Sequence, residues 1–183
     1  MTTETRLLTA EDLLRLHSKG VRGELTLGVL HRTMPTGREQ GEIAAKMSFE
    51  LLSFVKPSRL GIVTTSDSGV RLQRDPDTVR EADVAYFASE RVGRQRETGY
   101  SEIVPDLVVE IESPSDDHHD LYNKARMWLS YGVQLVWVVH PDARTVDVHR
   151  GDSLVETVSE DDDLSGQDIL PGYSCPVASI FNS

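Results

Sequence analysis

The sequence predicts a mixed α/β or α+β fold, and three observations lead to this class. Apolar residues recur at helical spacing over residues 39–55. Two apolar runs, residues 106–112 and 133–139, have the length and composition of buried strands. A helix is predicted over residues 117–131, between those two runs. Strands that alternate with helices in this way are typical of a sheet covered by helices.

The other elements follow from local signals. Thr9 precedes Asp12 at capping-box spacing, so a short helix is predicted to begin there and to end near Gly20. Residues 24–34 alternate partly between apolar and polar, which indicates a strand or a hairpin broken at Gly28. Further strands are predicted at 61–65 and 70–73, around a Ser-Asp-Ser-Gly turn, at 82–87, and at 145–149 as an edge strand.

Length and charge limit the organisation of the chain. Its 183 residues suit one domain, residues 1–183, which includes the acidic C-terminal segment 152–183. The net charge of −11 argues against a large basic surface for DNA. However, residues 141–183 hold nine acidic residues and two arginines, so much of the excess lies there and a local phosphate site elsewhere remains compatible with the composition.

Several classes of protein are excluded or disfavoured by the composition. No apolar run approaches the roughly 20 residues of a membrane-spanning helix, so we expect no membrane partner. The N-terminus lacks the basic and then apolar order of a signal peptide. Cys175 is the only cysteine and has no partner for an internal disulfide. Together these features predict a cytoplasmic protein.

Two acidic residues interrupt predicted strands. Asp83 lies within one apolar strand and Glu110 within another, where alternation places it on the same face as Val108 and Glu112. A carboxylate in a central strand is costly unless it is paired or binds a cation. Acids on neighbouring strands therefore predict a divalent-cation site, to which the Ile111 carbonyl adds a third oxygen. The alternative is that both acids face water at strand ends.

Two further side chains are candidates for the same site. Lys124 falls in the first turns of the predicted helix, close to the end of the Glu110 strand, where it could orient a water molecule or offset phosphate charge. Glu42, near the start of the long helix, could add another ligand. The alternatives are a solvated helix lysine and a plain surface acid.

Histidine and tryptophan residues are given simpler interpretations. His118 and His119 are adjacent and cannot readily converge on one ion from a regular helix, so they are predicted to lie in a solvated loop. Trp128 and Trp137 are predicted to belong to the core.

Several motifs occur in one order along the chain. They are Glu24-Leu-Thr-Leu-Gly28, Ala82-Asp83-Val-Ala, Pro105-Asp-Leu-Val-Val-Glu110-Ile-Glu-Ser-Pro-Ser115, Asp120 with Lys124, and Gly132-Val-Gln-Leu-Val-Trp-Val-Val-His-Pro141. Over residues 9–171 this order resembles the Uma-two family (Uma2) of restriction-endonuclease-like proteins, which belongs to the PD-(D/E)XK nuclease superfamily.

The resemblance implies a restriction-endonuclease-like mixed β-sheet core flanked by helices. It implies that Asp83 and Glu110 bind Mg²⁺ or Mn²⁺ together with the Ile111 carbonyl. Since Glu112 occupies the position of the superfamily's lysine, the resemblance assigns that role to Lys124. Glu42 would correspond to the helical acid of many members.

The chain also departs from the family pattern. It has Ala82 before the strand aspartate, where the family often has proline. It has Gln40 at a position where histidine is common, and Trp128 where tyrosine is usual. None of these departures removes a predicted metal ligand.

The leading functional hypothesis is a metal-dependent endonuclease that hydrolyses DNA phosphodiester bonds. One alternative is a nucleic-acid-binding or regulatory protein that keeps the nuclease fold with weak or no catalysis. Another is a dimeric structural or interaction module, and a homodimer is expected. Six arginines are candidate phosphate contacts: Arg71, Arg74, Arg80, Arg91, Arg94 and Arg96.

Overall fold

Strands and helices alternate along most of the chain. A computed structural model describes residues 6–92, 98–114, 116–151 and 155–182. The helices in this part of the chain are α1 (Ala10–His17), α2 (Arg38–Ser58), α3 (His118–Ser130) and α4 (Val177–Phe181). The strands are β1 (Glu24–Thr26), β2 (Val29–His31), β3 (Gly61–Thr65), β4 (Gly69–Gln73), β5 (Thr78–Glu81), β6 (Val84–Ala88), β7 (Leu107–Ile111), β8 (Leu135–His140), β9 (Thr145–His149), β10 (Glu156–Ser159), β11 (Asp163–Ser165) and β12 (Ser174–Pro176).

The central sheet has six strands in the order β10-β9-β8-β7-β6-β3. Only the β7–β8 pair is parallel among these neighbours, and α3 connects its two strands. Every residue of β7 and of β8 is buried, as expected for strands covered on both faces. The structure therefore confirms the predicted mixed sheet flanked by helices.

Each face of this sheet is covered by a different helix. On one face α2 contributes Ile43, Met47 and Leu51 to a core that also contains Val109 and Trp137. The apolar spacing of α2 predicts this packing. The opposite face is covered by α3, and its buried residues Leu121, Ala125 and Trp128 pack against Val108 and Val136.

A second, antiparallel sheet has the order β2-β1-β5-β4. Its β1–β2 hairpin turns through Leu27 and Gly28, which both have positive φ, at the break that the sequence predicts. Helix α1 packs on this sheet through Ala10 and Leu13. The capping box between Thr9 and Asp12 is present as predicted.

The strand pairing corrects one expectation, that β9 is an edge strand, and adds two features that the sequence left open. β3 and β4 flank a turn but belong to different sheets, because β3 pairs with β6 and β4 pairs with β5. β9 is an interior strand, because β10 pairs along its outer side. The predicted strand at 82–87 is preceded by β5, which the sequence pattern did not reveal as a separate strand.

The described part of the C-terminal segment joins the core under α2. Leu164, Tyr173 and Ile180 are buried there. Residues 152–154, which belong to the predicted acidic segment, lie outside the described residues. Within the described ranges, no helix combines the length and apolar character needed to cross a bilayer.

Candidate active site

Glu110 lies within β7, as predicted, whereas Asp83 lies one residue before β6 and not within a strand, because strand pairing begins at Val84. Val84 pairs with Val109 in the antiparallel β6–β7 ladder, and the next step in that register places Asp83 opposite Glu110. Alternation directs the Glu110 side chain to the sheet face that α3 covers, which is also the face of Val108, and Asp83 lies close enough to raise the pKa of Glu110. The structure therefore brings together the two acids that the sequence singled out.

Both carboxylate oxygens of Glu110 accept hydrogen bonds from α3. Lys124 Nζ donates to Oε2 at 2.6 Å, and Trp128 Nε1 donates to Oε1 at 2.6 Å. Glu110 is 1% exposed and Trp128 is completely buried. These contacts orient the carboxylate, yet each oxygen keeps a further lone pair that can bind a cation.

The position of α3 follows from its own sequence. Asp117 caps the helix by accepting from the backbone N–H of His119 at 2.8 Å, and the buried residues Leu121 and Ala125 anchor one face of the helix. Lys124 and Trp128 are four residues apart and lie on adjacent turns of that side. One helix face therefore provides both the packing and the donors for Glu110.

Asp83 is bound by donors from a different direction. Its Oδ2 accepts from the backbone N–H of Ile111 at 2.8 Å and, more weakly, from Gln40 Nε2 at 3.4 Å. The same Gln40 nitrogen donates to the Ile111 carbonyl at 3.0 Å. The first turn of α2 therefore places an amide between the Asp83 carboxylate and the Ile111 carbonyl, two of the predicted ligands.

Burial and mutual repulsion shift the ionisation of the two acids. Burial raises the pKa of Glu110 to about 7, and Asp83 adds to the rise while Lys124 and Trp128 oppose it. Burial also raises the pKa of Asp83, against the effect of Lys124. Burial lowers the pKa of Lys124, but attraction to Glu110 and Glu24 together outweighs this and the net shift is upward. The cleft thus holds two carboxylates that a divalent cation would stabilise in their ionised form.

Oxygen atoms of two carboxylates and one carbonyl suit a hard divalent cation. Asp83, Glu110 and Ile111 all line a cleft of about 1110 Å³, together with Lys124 and Gln40. Mg²⁺ and Mn²⁺ prefer oxygen ligands, and Mg²⁺ usually keeps several water molecules, for which an open cleft leaves room. The donor set therefore fits the cation that the resemblance implies.

The structure does not bring Glu42 to this cleft. Gln40 and Glu42 are two residues apart on α2, which separates their side chains by about 200° around the helix axis. Glu42 instead pairs with Lys46 at 2.8 Å, and this hydrogen bond lowers the pKa of the carboxyl group. The helical residue that reaches the predicted ligands is Gln40.

The candidate phosphate contacts are dispersed. Arg71, Arg74 and Arg91 form ion pairs with acidic neighbours away from the cleft, whereas Arg80 lines the cleft and pairs with Glu24 at 3.2 Å. Arg94 and Arg96 lie outside the described residues. Two other arginines, Arg32 and Arg38, are exposed along the cleft and form no ion pair within the part of the chain that the structure describes.

Three site features were not predicted from the sequence. Trp128 is buried as predicted, but its indole N–H also orients Glu110. Gln40 was noted only as a departure from the family pattern. That departure was the one feature of the sequence that pointed to Gln40 as a site residue. His118 lies in the first turn of α3 and not in a loop, since the cap at Asp117 starts the helix there.

Replacing Gln40 with glutamate should tighten Mn²⁺ binding by about tenfold. The change substitutes an anionic oxygen for the amide nitrogen that lies between Asp83 and the Ile111 carbonyl, and cation affinity rises with ligand charge. Titration calorimetry of the parent and the Q40E variant measures the difference. Equal or weaker Mn²⁺ binding by the variant would show that Gln40 does not face the cation.

Comparison with known proteins identifies a family and includes a solved structure with a similar fold. The family model described as "Uma2: Putative restriction endonuclease" matches residues 10–178. A crystal structure from Anabaena variabilis, described as that of a putative nuclease belonging to DUF820, superposes with a TM-score of 0.79. Its sequence is 22% identical, and the match covers 95% of this chain and 97% of that chain. No curated protein matches the sequence significantly.

Proposed function

Because this chain belongs to the Uma2 family of restriction-endonuclease-like proteins, we propose that it is a divalent-cation-dependent endonuclease that hydrolyses DNA phosphodiester bonds. The observation that carries the proposal is the convergence of Asp83, Glu110 and the Ile111 carbonyl in one cleft, with the Lys124 ammonium beside them. Carboxylates on adjacent strands next to a lysine form a site for cation-assisted phosphodiester hydrolysis.

Each residue has a distinct role in this proposal. Asp83, Glu110 and the Ile111 carbonyl hold Mg²⁺ or Mn²⁺. A bound divalent cation supplies Lewis-acid chemistry, since it lowers the pKa of water and offsets charge on a phosphate. Lys124 keeps Glu110 oriented at 2.6 Å and contributes a positive charge to the cleft. Trp128 fixes the other Glu110 oxygen and shields it from solvent.

Incubation of the purified protein with plasmid and genomic DNA tests the proposal. We expect cleavage products with Mg²⁺ or Mn²⁺ and none with EDTA, because two close carboxylates repel each other and need a cation between them to act on an anionic substrate. Adding excess Mn²⁺ after EDTA should restore cleavage. Products that form equally well in EDTA would contradict the assigned role of the carboxylates.

The second candidate function is nucleic-acid binding without turnover. The Gln40 amide favours it, since its N–H donors reach both the Ile111 carbonyl and Asp83 and so compete with a cation for these oxygens. Salt-dependent DNA binding without any cation-dependent product would support this alternative. A protein that neither binds nor cleaves DNA would instead support an interaction module.

Arg38 is proposed to contact the DNA backbone from the cleft. Replacing it with glutamate should weaken DNA binding and make the plot of log affinity against log salt concentration less steep by about one. Arg59, at the other end of α2 and outside the cleft, provides the matched control through R59E. Fluorescence anisotropy at several salt concentrations measures both slopes. Equal slopes for R38E and R59E would exclude the contact.

We also propose that residues 1–183 form one domain that acts in the cytoplasm as a homodimer. The packing of Leu164 and Ile180 in the core under α2 supports including the C-terminal segment. Phe49 and Leu52 are 67% and 41% exposed one turn apart on α2, and this apolar strip supports self-association. Light scattering should give a dimer mass for the parent and a monomer mass for F49D, and a monomer mass for the parent would contradict the dimer.

A further inference from the structure

A second group of metal-binding side chains lies where β7 and β8 end and α3 begins. Glu112, His118 and His140 each offer one ligand atom, and these atoms all lie within 4.8 Å of one another. His118 Nδ1 is 3.5 Å from Glu112 Oε1, and His140 Nδ1 is 2.7 Å from Glu112 Oε2. Two ligands of a tetrahedral zinc ion are about 3.4 Å apart, so small side-chain rotations suffice to close the group around one ion.

Strand pairing and the helix start assemble this group. Ile111 pairs with Val139 in the parallel β7–β8 ladder, and the next step in that register brings Glu112 beside His140. The cap at Asp117 then places His118 in the first turn of α3, and its ring centroid is 5.4 Å from that of His140. The sequence separates these residues by up to 28 positions, whereas the fold brings them together.

The hydrogen bonds of His140 favour a cation in this place. Its two ring nitrogens each face a carboxylate, since Nδ1 is 2.7 Å from Glu112 and Nε2 is 3.2 Å from Asp147. A metal ion at Nδ1 leaves the Nε2–H to donate to Asp147, which is the carboxylate–histidine–metal arrangement of many metal sites.

We propose that Glu112, His118 and His140 bind a transition-metal ion such as Zn²⁺, through a donor set distinct from the Asp83–Glu110 pair, although Glu112 lines the same cleft. Two imidazole nitrogens and one carboxylate oxygen suit Zn²⁺, whereas the oxygen donors of the other site suit Mg²⁺. Three protein ligands leave a fourth position open. The ion links the first turn of α3 to the ends of β7 and β8, and so holds in place the helix that carries Lys124 and Trp128.

Zinc titration of the untagged protein tests this site, because a histidine tag would itself bind the ion. The titrations use the D83N background, which disables the other proposed cation site and makes the result independent of the proposed nuclease activity. We expect one zinc ion per chain, and an affinity reduced at least a hundredfold by H118Q and by H140Q. Asp147→Asn should weaken binding by about tenfold, because it removes the negative charge of an outer-sphere partner while keeping an acceptor for the His140 Nε2–H.

His119 supplies the matched control, because it is adjacent to His118 and does not belong to the group. The H119Q variant should bind zinc like its parent. His118 has an 80% exposed side chain, so H118Q tests the site without disturbing the core even where H140Q affects folding. Absence of zinc binding in the parent, equal binding in H118Q and H119Q, or equal loss in both would overturn the proposal.

Discussion

Replacing Asp83 with asparagine or Glu110 with glutamine should abolish Mn²⁺ binding and reduce DNA cleavage by at least about a hundredfold. Loss of an outer-sphere partner alone costs metal sites 10- to 100-fold in affinity or activity, and these two carboxylates are the proposed ligands themselves. Each substitution preserves side-chain shape but removes the negative charge that attracts the cation. Titration calorimetry and initial rates on plasmid DNA measure the two effects.

The matched control for D83N is D142N. Asp142 is exposed in the turn between β8 and β9, so the same chemical change there should alter neither binding nor rate. Circular dichroism verifies that all variants are folded. Cleavage by D83N or E110Q at the rate of the parent would exclude the carboxylate pair as the catalytic centre.

Replacing Lys124 with methionine should destabilise the protein by about 3 kcal/mol at pH 8.5 and by much less at pH 5.5. The change removes the ammonium 2.6 Å from Glu110 and leaves a buried carboxylate without its cation. Breaking a buried ion pair on one side costs roughly 3–5 kcal/mol. We expect a cost at the lower end of this range because the Lys124 side chain keeps 28% of its surface exposed.

The pH dependence of the protein's stability follows from the ionisation of Glu110. Burial raises its pKa from an ordinary value of 4.5 to about 7, so the folded protein keeps a proton that the unfolded chain releases between these values. Stability therefore falls as the pH rises from 4.5 through 7. Lys124 opposes this shift, so its removal raises the pKa of Glu110 further and extends the loss above pH 7.

Urea unfolding at the two pH values measures the effect, with Lys46 as the matched control. Lys46 pairs with Glu42 at 2.8 Å on the surface of α2, where such pairs contribute at most about 1 kcal/mol. The K46M variant should therefore change stability little at either pH. A pH-independent loss in K124M would contradict the buried pairing with Glu110.

The elements themselves were largely predictable, because local chemistry determines them. The capping box starts α1 at Ala10, apolar spacing defines most of α2, and continuous apolar runs identify β7 and β8. In each case the residues that predict the element are close in sequence and lie in the same turn, helix or strand.

Strand partners were less predictable, because a strand's edge hydrogen bonds can be satisfied by any strand that reaches it. β3 and β4 flank a short turn and could have paired with each other, yet the packing of two cores assigns them to different sheets. β9 looked like an edge strand because β10 has few apolar residues to reveal it.

The sequence by itself determined that Glu110 is an acid within an apolar strand, that Asp83 is an acid next to another, and that Lys124 follows them on a helix. Only the tertiary structure decided that Trp128 and Lys124 orient Glu110, that Gln40 reaches Asp83 while Glu42 does not, and that His118 meets His140 and Glu112. Local spacing determines which residues share one face of an element. Which faces then meet depends on how the whole core packs, and that involves residues far apart in the chain.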